Sequence, residues 1–330
     1  MLILTKAILA MMIGFILAIV TGFFLIPVLK SKKIGQTVSV FLKNRHKGKE
    51  GTPTMGGLIF IIPTIVTLLL LLITNKIDYS DNLLMIVFVF LGYGLLGFID
   101  DFLIIKRRKN DGLTEIQKLF GQLIIAIVFF YLFMKVGHEP VLNIHTLDIE
   151  LNMGWLYGAF ILFVLVASSN AVNITDGLDG LAGGLSLIAF LALGLITWNS
   201  SWVVGSQDIA IFCFILVGSL LGFLFYNTYP SKIFMGDTGS LALGGVMASI
   251  AILTNHEITF IIIAGVFIVE TLVCIIQTFS IMTTGKKVFL MTPLHHHFEK
   301  LGWEERDIVK MFWFFGIMLA MAGVLFAVWI

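Results

Sequence analysis

Charge is scarce in this sequence. Asp, Glu, Lys and Arg make up 12% of its 330 residues, against about 25% in a soluble domain. So little charge cannot cover a water-facing surface. A soluble enzyme, a disordered chain and a secreted disulfide scaffold are all excluded. The net charge of +1 leaves no basic field for nucleic acid. The two cysteines, Cys213 and Cys274, lie inside apolar runs and read as packing residues, not a disulfide or metal pair. Proline is also rare, with six residues. No Pro/Gly-rich linker, fixed-period repeat or low-complexity tract divides the chain, so residues 1–330 read as a single integral membrane domain.

What is abundant is apolar: 58% of the residues. A helix needs roughly 20 such residues to cross the hydrocarbon. Ten runs qualify: 7–29, 56–74, 83–99, 119–136, 155–172, 180–198, 209–226, 238–254, 258–282 and 308–329. They are apolar all round and lack barrel-strand alternation, so the expected fold is an all-α polytopic membrane protein. The first run is followed by Lys30, Lys32 and Lys33 and reads as a retained span, not a signal peptide. Ten spans put both termini on one side. Segments 30–55, 100–118, 173–179, 227–237 and 283–310 share the other side and hold 18 of the 21 Lys and Arg, leaving Lys6, Lys76 and Lys135 opposite. The positive-inside rule assigns those five segments to the cytoplasm and both termini to the outside.

The polar residues that look purposeful cluster in the same five segments. Transporters tend to bind near the midplane on broken helices. Groups gathered at one interface suit an enzyme joining a lipid to a water-soluble cosubstrate. Lys47 to Gly57 places lysines, hydroxyls and glycines before a helix start. That pattern is either an anion site or ordinary capping. Asp100 and Asp101 are adjacent carboxylates at a span end. They repel and are costly to desolvate, so they suit a neutralising hard cation, Mg²⁺ or Mn²⁺, unless both are simply bathed in water. Asn170, Asn173, Asp176 and Asp179 recur every three residues. If helical, they line one face with donors and acceptors for a base, a sugar or a metal shell. Asp237, before Thr238-Gly239-Ser240, is an N-cap or shares a site with Asp100 and Asp101. His295-His296-His297 point in different directions, so they suit phosphate binding or proton handling over zinc, or form a solvated loop. Glu270 lies mid-span, as a site residue, a helix break or a packing group, with Gln277 on nearly the same face.

Carboxylates, basic residues and a membrane-edge location suggest phosphoryl transfer, which depends on charge neutralisation and alignment. A Walker A motif is absent. The stretches Gly51–Gly57, Gly97–Asp101, Asn170–Gly180, Asn227–Ser240 and Pro293–Glu299 closely resemble, in order and spacing, the polyprenyl-phosphate N-acetylhexosamine-1-phosphate transferase superfamily. The Pro-Leu-His-His-His-Phe-Glu run favours its phospho-N-acetylmuramoyl-pentapeptide transferase branch over the GlcNAc-1-phosphate relatives.

That resemblance implies a Mg²⁺-dependent reaction in peptidoglycan synthesis. UDP-MurNAc-pentapeptide and undecaprenyl phosphate would give lipid I and UMP at the cytoplasmic face of a bacterial membrane. It implies catalytic roles for Asp100, Asp101, Asp237 and His296, with Asp237 as metal ligand. It implies substrate binding by Lys49, Thr54, Lys118, Asn173, Asp176, Asp179, Asn227, Phe234, Gln277, His296 and His297, Phe234 stacking on uracil. It further implies a homodimer and a target for nucleoside inhibitors. One position departs from the family. Many relatives carry Lys three residues past the second Asp, where this chain has Ile104, its basic cluster Lys106-Arg107-Arg108-Lys109 following. A GlcNAc-1-phosphate transferase and a lipid-linked-sugar flippase remain as alternatives.

Overall fold

The computed structural model describes residues 3–31, 51–107, 112–144, 149–200 and 203–328. Its elements run α1 (Ile3–Ser31), α2 (Leu58–Ile73), α3 (Asp81–Arg107), α4 (Glu115–Val136), β1 (Val141–Ile144), β2 (Ile149–Asn152), α5 (Trp155–Thr175), α6 (Leu181–Asn199), α7 (Ser206–Asn227), α8 (Gly236–Leu253), α9 (Glu257–Ile263), α10 (Gly265–Thr284), α11 (Leu294–Lys300) and α12 (Glu305–Val328). Among the described residues, nine helices are long and apolar enough to cross a bilayer, and α2 is a shorter apolar tenth. The expected all-α polytopic architecture holds, with three local differences.

First, the run 258–282 is not one helix. It breaks at Ala264 into α9 and α10. Second, a two-stranded antiparallel hairpin joins α4 to α5, pairing Val141 with Asn152 and Ile144 with Ile149. Such a hairpin is marginal alone, and β1 packs on α9. Third, the run ending near residue 99 continues as helix through Asp100 and Asp101 to Arg107. The apolar residues Phe102 to Ile105 carry it on, so the carboxylate pair lies within a helix and not at its end.

α8 is the centre of the bundle. Nearly every residue from Gly236 to Leu253 is buried, against α3 on one side and α5 on another. Its composition is mainly Gly, Ala, Ser and medium aliphatics, the small residues that let helices approach closely where lipid gives no hydrophobic drive. At Gly97 a Cβ would fall 2.0 Å from the Asp237 carbonyl oxygen, so glycine there lets α3 press against the start of α8. α7 is likewise enclosed, between α1 and α6.

Candidate active site

The site assembles where α8 begins. Gly236 has φ +73°, and a Cβ on it would lie 2.5 Å from both Asp101 Oδ2 and Thr54 Oγ1, so a glycine is needed to turn the chain into α8 here. Ahead of it, Phe234 N–H donates to the Pro53 carbonyl at 2.8 Å. Gly56 and Gly57 N–H groups donate back to the Phe234 and Met235 carbonyls at 2.8 and 2.9 Å. Segments 30–55 and 227–237, far apart in sequence, are thus paired through the main chain. Lys49 lies outside the described residues.

Asp101 secures this junction. Its Oδ2 accepts from Thr238 N–H at 3.0 Å and Thr238 Oγ1 at 2.6 Å. Its Oδ1 accepts from Asp237 N–H at 3.3 Å and Thr54 Oγ1 at 3.4 Å. A carboxylate at a helix N-terminus meets unpaired N–H groups and the positive end of the dipole. Asp101 and Thr54 are both buried. The structure uses them to hold α8 in place.

Asp237 then points toward Lys118 and Asn173. Lys118 Nζ lies 2.8 Å from Asp237 Oδ2 and 3.1 Å from Asp100 Oδ2. Asn173 Nδ2 donates to Asp237 Oδ1 at 2.8 Å and to Ser240 Oγ at 2.9 Å. Asp100 Oδ1 accepts from Leu113 N–H at 2.6 Å, tying the start of α4 to the end of α3. α3, α4 and α5 thereby contribute Asp100, Lys118 and Asn173, and α8 contributes Asp237 and Ser240, to a single cluster. The Asp100–Asp237 juxtaposition expected from sequence is present, bridged by an ammonium.

The three-residue phase of Asn170, Asn173, Asp176 and Asp179 does not continue as helix. α5 stops at Thr175 and Asp176 is its C-cap. Asn170 turns inward to Gln122 Oε1 at 3.0 Å. Asp176 is only half-buried at its surface, yet its carboxyl sits among protein atoms. Burial, then the Asp237, Asp101 and Asp179 charges, push it up to about 8, against a lowering bond from Gly236 N–H.

Several expected ligand-binding groups are already engaged within the protein. Asp179 is buried, and its Oδ2 accepts from Ser231 N–H at 3.0 Å. Asn227 is buried, accepting from Gly180 N–H at 3.1 Å and donating to the Ile233 carbonyl at 2.9 Å. Gln277 Oε1 accepts from Val288 and Phe289 N–H groups at 2.9 and 3.0 Å, and its Nε2 donates to the Phe289 carbonyl at 3.0 Å. These three hold neighbouring loop backbone in place. His296 Nδ1 meets Glu299 Oε2 at 2.6 Å, and His297 Nδ1 accepts from Leu290 N–H at 3.2 Å. Phe234 is half-buried, its backbone pinned as described. Ile104 is half-buried on α3, and Arg107 from the following basic cluster donates to the Gly112 carbonyl at 2.9 Å. Thr238, Ser240, Glu299 and Glu305 were not singled out by the sequence, although all but Glu305 lie inside its quoted motifs. Glu305 accepts from Asp179 N–H at 2.8 Å.

Among the described residues, no three His, Cys, Asp or Glu side chains converge as a ready-made ion cage. Mg²⁺ does not require one. It commonly binds through one or two carboxylates, with waters and substrate phosphates completing its shell. The donors here are hard oxygens, and Lys118 marks a point where two carboxylates already call for positive charge. The residues fit that ion.

Comparison with known proteins identifies the family. The glycosyl transferase family 4 model matches residues 83–255. A phospho-N-acetylmuramoyl-pentapeptide-transferase signature matches residues 49–61. The phospho-N-acetylmuramoyl-pentapeptide-transferase of Geobacillus sp. (strain WCH70) is 48% identical over 98% of both chains. Its namesake from Bacillus subtilis (strain 168) is 46% identical over 97% of both. That from Oceanobacillus iheyensis is 44% identical over 97% of this chain and 98% of its own. By the family match over more than half of its length, this helical membrane bundle is a glycosyl transferase of family 4. Within that class, the chain belongs to the phospho-N-acetylmuramoyl-pentapeptide-transferase family.

Proposed function

We propose that the protein transfers phospho-MurNAc-pentapeptide from UDP-MurNAc-pentapeptide to undecaprenyl phosphate, giving lipid I and UMP. The observation that carries this is the Asp100–Lys118–Asp237–Asn173 cluster at the end of a membrane bundle, in a chain matching its relatives nearly end to end. A lipid phosphate oxygen attacks the β-phosphorus of the nucleotide sugar. The bond from that phosphorus to the bridging oxygen breaks, and the electron pair leaves on UMP. Lys118 offsets phosphate charge, and Asn173 fixes the Asp237 carboxylate. Asp237 is the residue that would hold Mg²⁺, and the ion would neutralise charge spreading over the phosphates. Phe234, His296 and His297 would bind the nucleotide at the rim. The bias of Lys and Arg supports a cytoplasmic site, the relatives supply the bacterial membrane setting, and a homodimer belongs to the same reading.

A flippase would need polar groups free at mid-depth. Glu270, the mid-span carboxylate, instead spends both oxygens on α11. The test is UMP release by purified protein with undecaprenyl phosphate and either UDP-MurNAc-pentapeptide or UDP-GlcNAc, with Mg²⁺ or EDTA. Mg²⁺-dependent release with the muramoyl substrate alone is expected. Release with UDP-GlcNAc alone would transfer the chain to its sister activity.

A further inference from the structure

Glu270 is fully buried in α10, inside an apolar span. A carboxylate there is costly unless its oxygens are satisfied. Its Oε2 accepts from Leu294 N–H at 2.6 Å. Its Oε1 accepts from His295 N–H at 3.3 Å and meets His295 Nδ1 at 3.1 Å. These are the first two N–H groups of α11. The N-cap of that helix is Pro293, which has no side-chain acceptor. Glu270 supplies the missing cap from another helix.

The second ring nitrogen of His295 continues the link. Nδ1 faces the Glu270 carboxylate, and the other ring nitrogen, Nε2, lies on the opposite edge of the ring. Nε2 is buried and has no hydrogen-bond partner. It abuts Gly177, where a Cβ would fall 2.2 Å from it. Gly177 lies between Asp176 and Asp179, in the loop from α5 to α6 whose Asp176 carboxyl feels the charge of Asp237. His295 therefore fills the space between α10 and that loop. His296 and His297, the next two residues, are carried on the same short helix.

We infer that Glu270 is a positioning residue for the transfer reaction: through His295 it clamps α11 against the Asp176–Asp179 loop and so fixes His296 and His297 against the nucleotide sugar. Gln277, lower on α10, holds Val288 and Phe289 by its amide. α10 thus grips both ends of the segment that leads into α11. Misplacing a binding group by about 1 Å can cost up to a hundredfold in rate, so the clamp acts on kinetics without touching substrate.

The inference rests on the transferase reading for its kinetic consequence but not for its structural one. Two readouts separate these in Glu270→Gln, which keeps the shape but puts an amide N–H group against one of the donors. The first is backbone amide exchange by mass spectrometry. Exchange should speed up in residues 290–300 and 174–180 and stay unchanged in α8. The second is steady-state UMP release. KM for UDP-MurNAc-pentapeptide should rise about tenfold or more, with KM for undecaprenyl phosphate unchanged. Where Glu270→Gln does not fold, Gly177→Ala pushes on the same contact from the exposed position 177 and should give the same pair of results. Unchanged exchange in α11, or an equal rise in both KM values, would overturn the clamp. A wild-type protein that releases no UMP, with exchange still responding as described, would instead sink the transferase reading alone.

Discussion

Lys118 and Asp237, 119 residues apart, meet at 2.8 Å, and the same ammonium lies 3.1 Å from Asp100. One cation therefore spans the two carboxylates that the sequence placed on the same membrane face. Removing either partner leaves the other charge partly desolvated, and on the proposed reading it also removes a group that would face the phosphates. Asp237→Asn should lower kcat by about a hundredfold or more, the loss typical of a principal electrostatic stabiliser. Lys118→Met should fall by a similar factor and should also raise KM for the UDP substrate. UMP release at saturating lipid reads both. Near-normal turnover in Asp237→Asn at ordinary Mg²⁺ would remove it as the metal ligand.

The raised carboxyl of Asp176 gives a pH signature. Burial and the nearby acids push it up to about 8 from 3.8. A raised acid pKa means the fold favours the protonated form, so ionisation costs stability as pH rises from about 4 through 8. Metal-free protein should therefore lose this contribution across that window. A divalent cation beside Asp237 would offset the same repulsion and displace the proton, so its affinity should grow with pH. Thermal melts from pH 6 to 9, with Mg²⁺ or EDTA, should show Mg²⁺ stabilisation increasing with pH. A stabilisation flat across that range would show that the carboxyls and the ion are uncoupled.

Asp101 should behave differently from its neighbour. Its two oxygens take four donors, two of them N–H groups at the start of α8. Thr238→Val removes one charge-assisted hydrogen bond, worth roughly 1.5–3 kcal/mol. The expected result is a lower melting temperature, with turnover in the surviving fold reduced less than in Asp237→Asn. A variant with unchanged melting temperature and abolished turnover would make Thr238 a substrate contact instead.

The spans were legible because lipid-facing helices are apolar all round, a signal that survives errors of several residues at each edge. The break at Ala264 was not, since neither proline nor a polar residue marks it. Asp100 and Asp101 read as a span end because charge normally stops a span. Here Leu113 N–H and Lys118 for one, and Thr54 and Thr238 for the other, let the helix continue. Asp100, Lys118, Asn173 and Asp237 meet at the start of α8. The division of labour among the motif residues was not visible. Asn227, Asp179 and Gln277 are consumed by backbone groups that only the folded chain brings near.

Phe234 remains the candidate base-stacking ring. Its own N–H and carbonyl are held by Pro53 and Gly56, so truncating the side chain should leave the backbone in place. Phe234→Ala should cost about 1–3 kcal/mol of nucleotide binding, the usual price of a lost base–aromatic stack. That predicts a higher KM for UDP-MurNAc-pentapeptide with KM for undecaprenyl phosphate unmoved. A change confined to the lipid KM would reassign the ring to the prenyl side.

Asp100 decides between one chemical step and two. Direct attack needs the lipid phosphate and the nucleotide sugar together. A covalent route needs an aspartate nucleophile and ping-pong kinetics. Asp100 is buried, one oxygen held by Leu113 N–H at 2.6 Å and the other against Lys118. A carboxylate so engaged is better placed to orient an ammonium than to attack phosphorus. A phosphate monoester, with its second pKa about 6, is already largely ionised near neutral pH and needs little help from a base. Protein mixed with labelled UDP-MurNAc-pentapeptide and no lipid should therefore give no stoichiometric burst of UMP. Asp100→Asn should keep nucleotide affinity and lose kcat. A burst equal to the enzyme concentration, with the phosphosugar label retained on the protein, would replace direct attack with the covalent route.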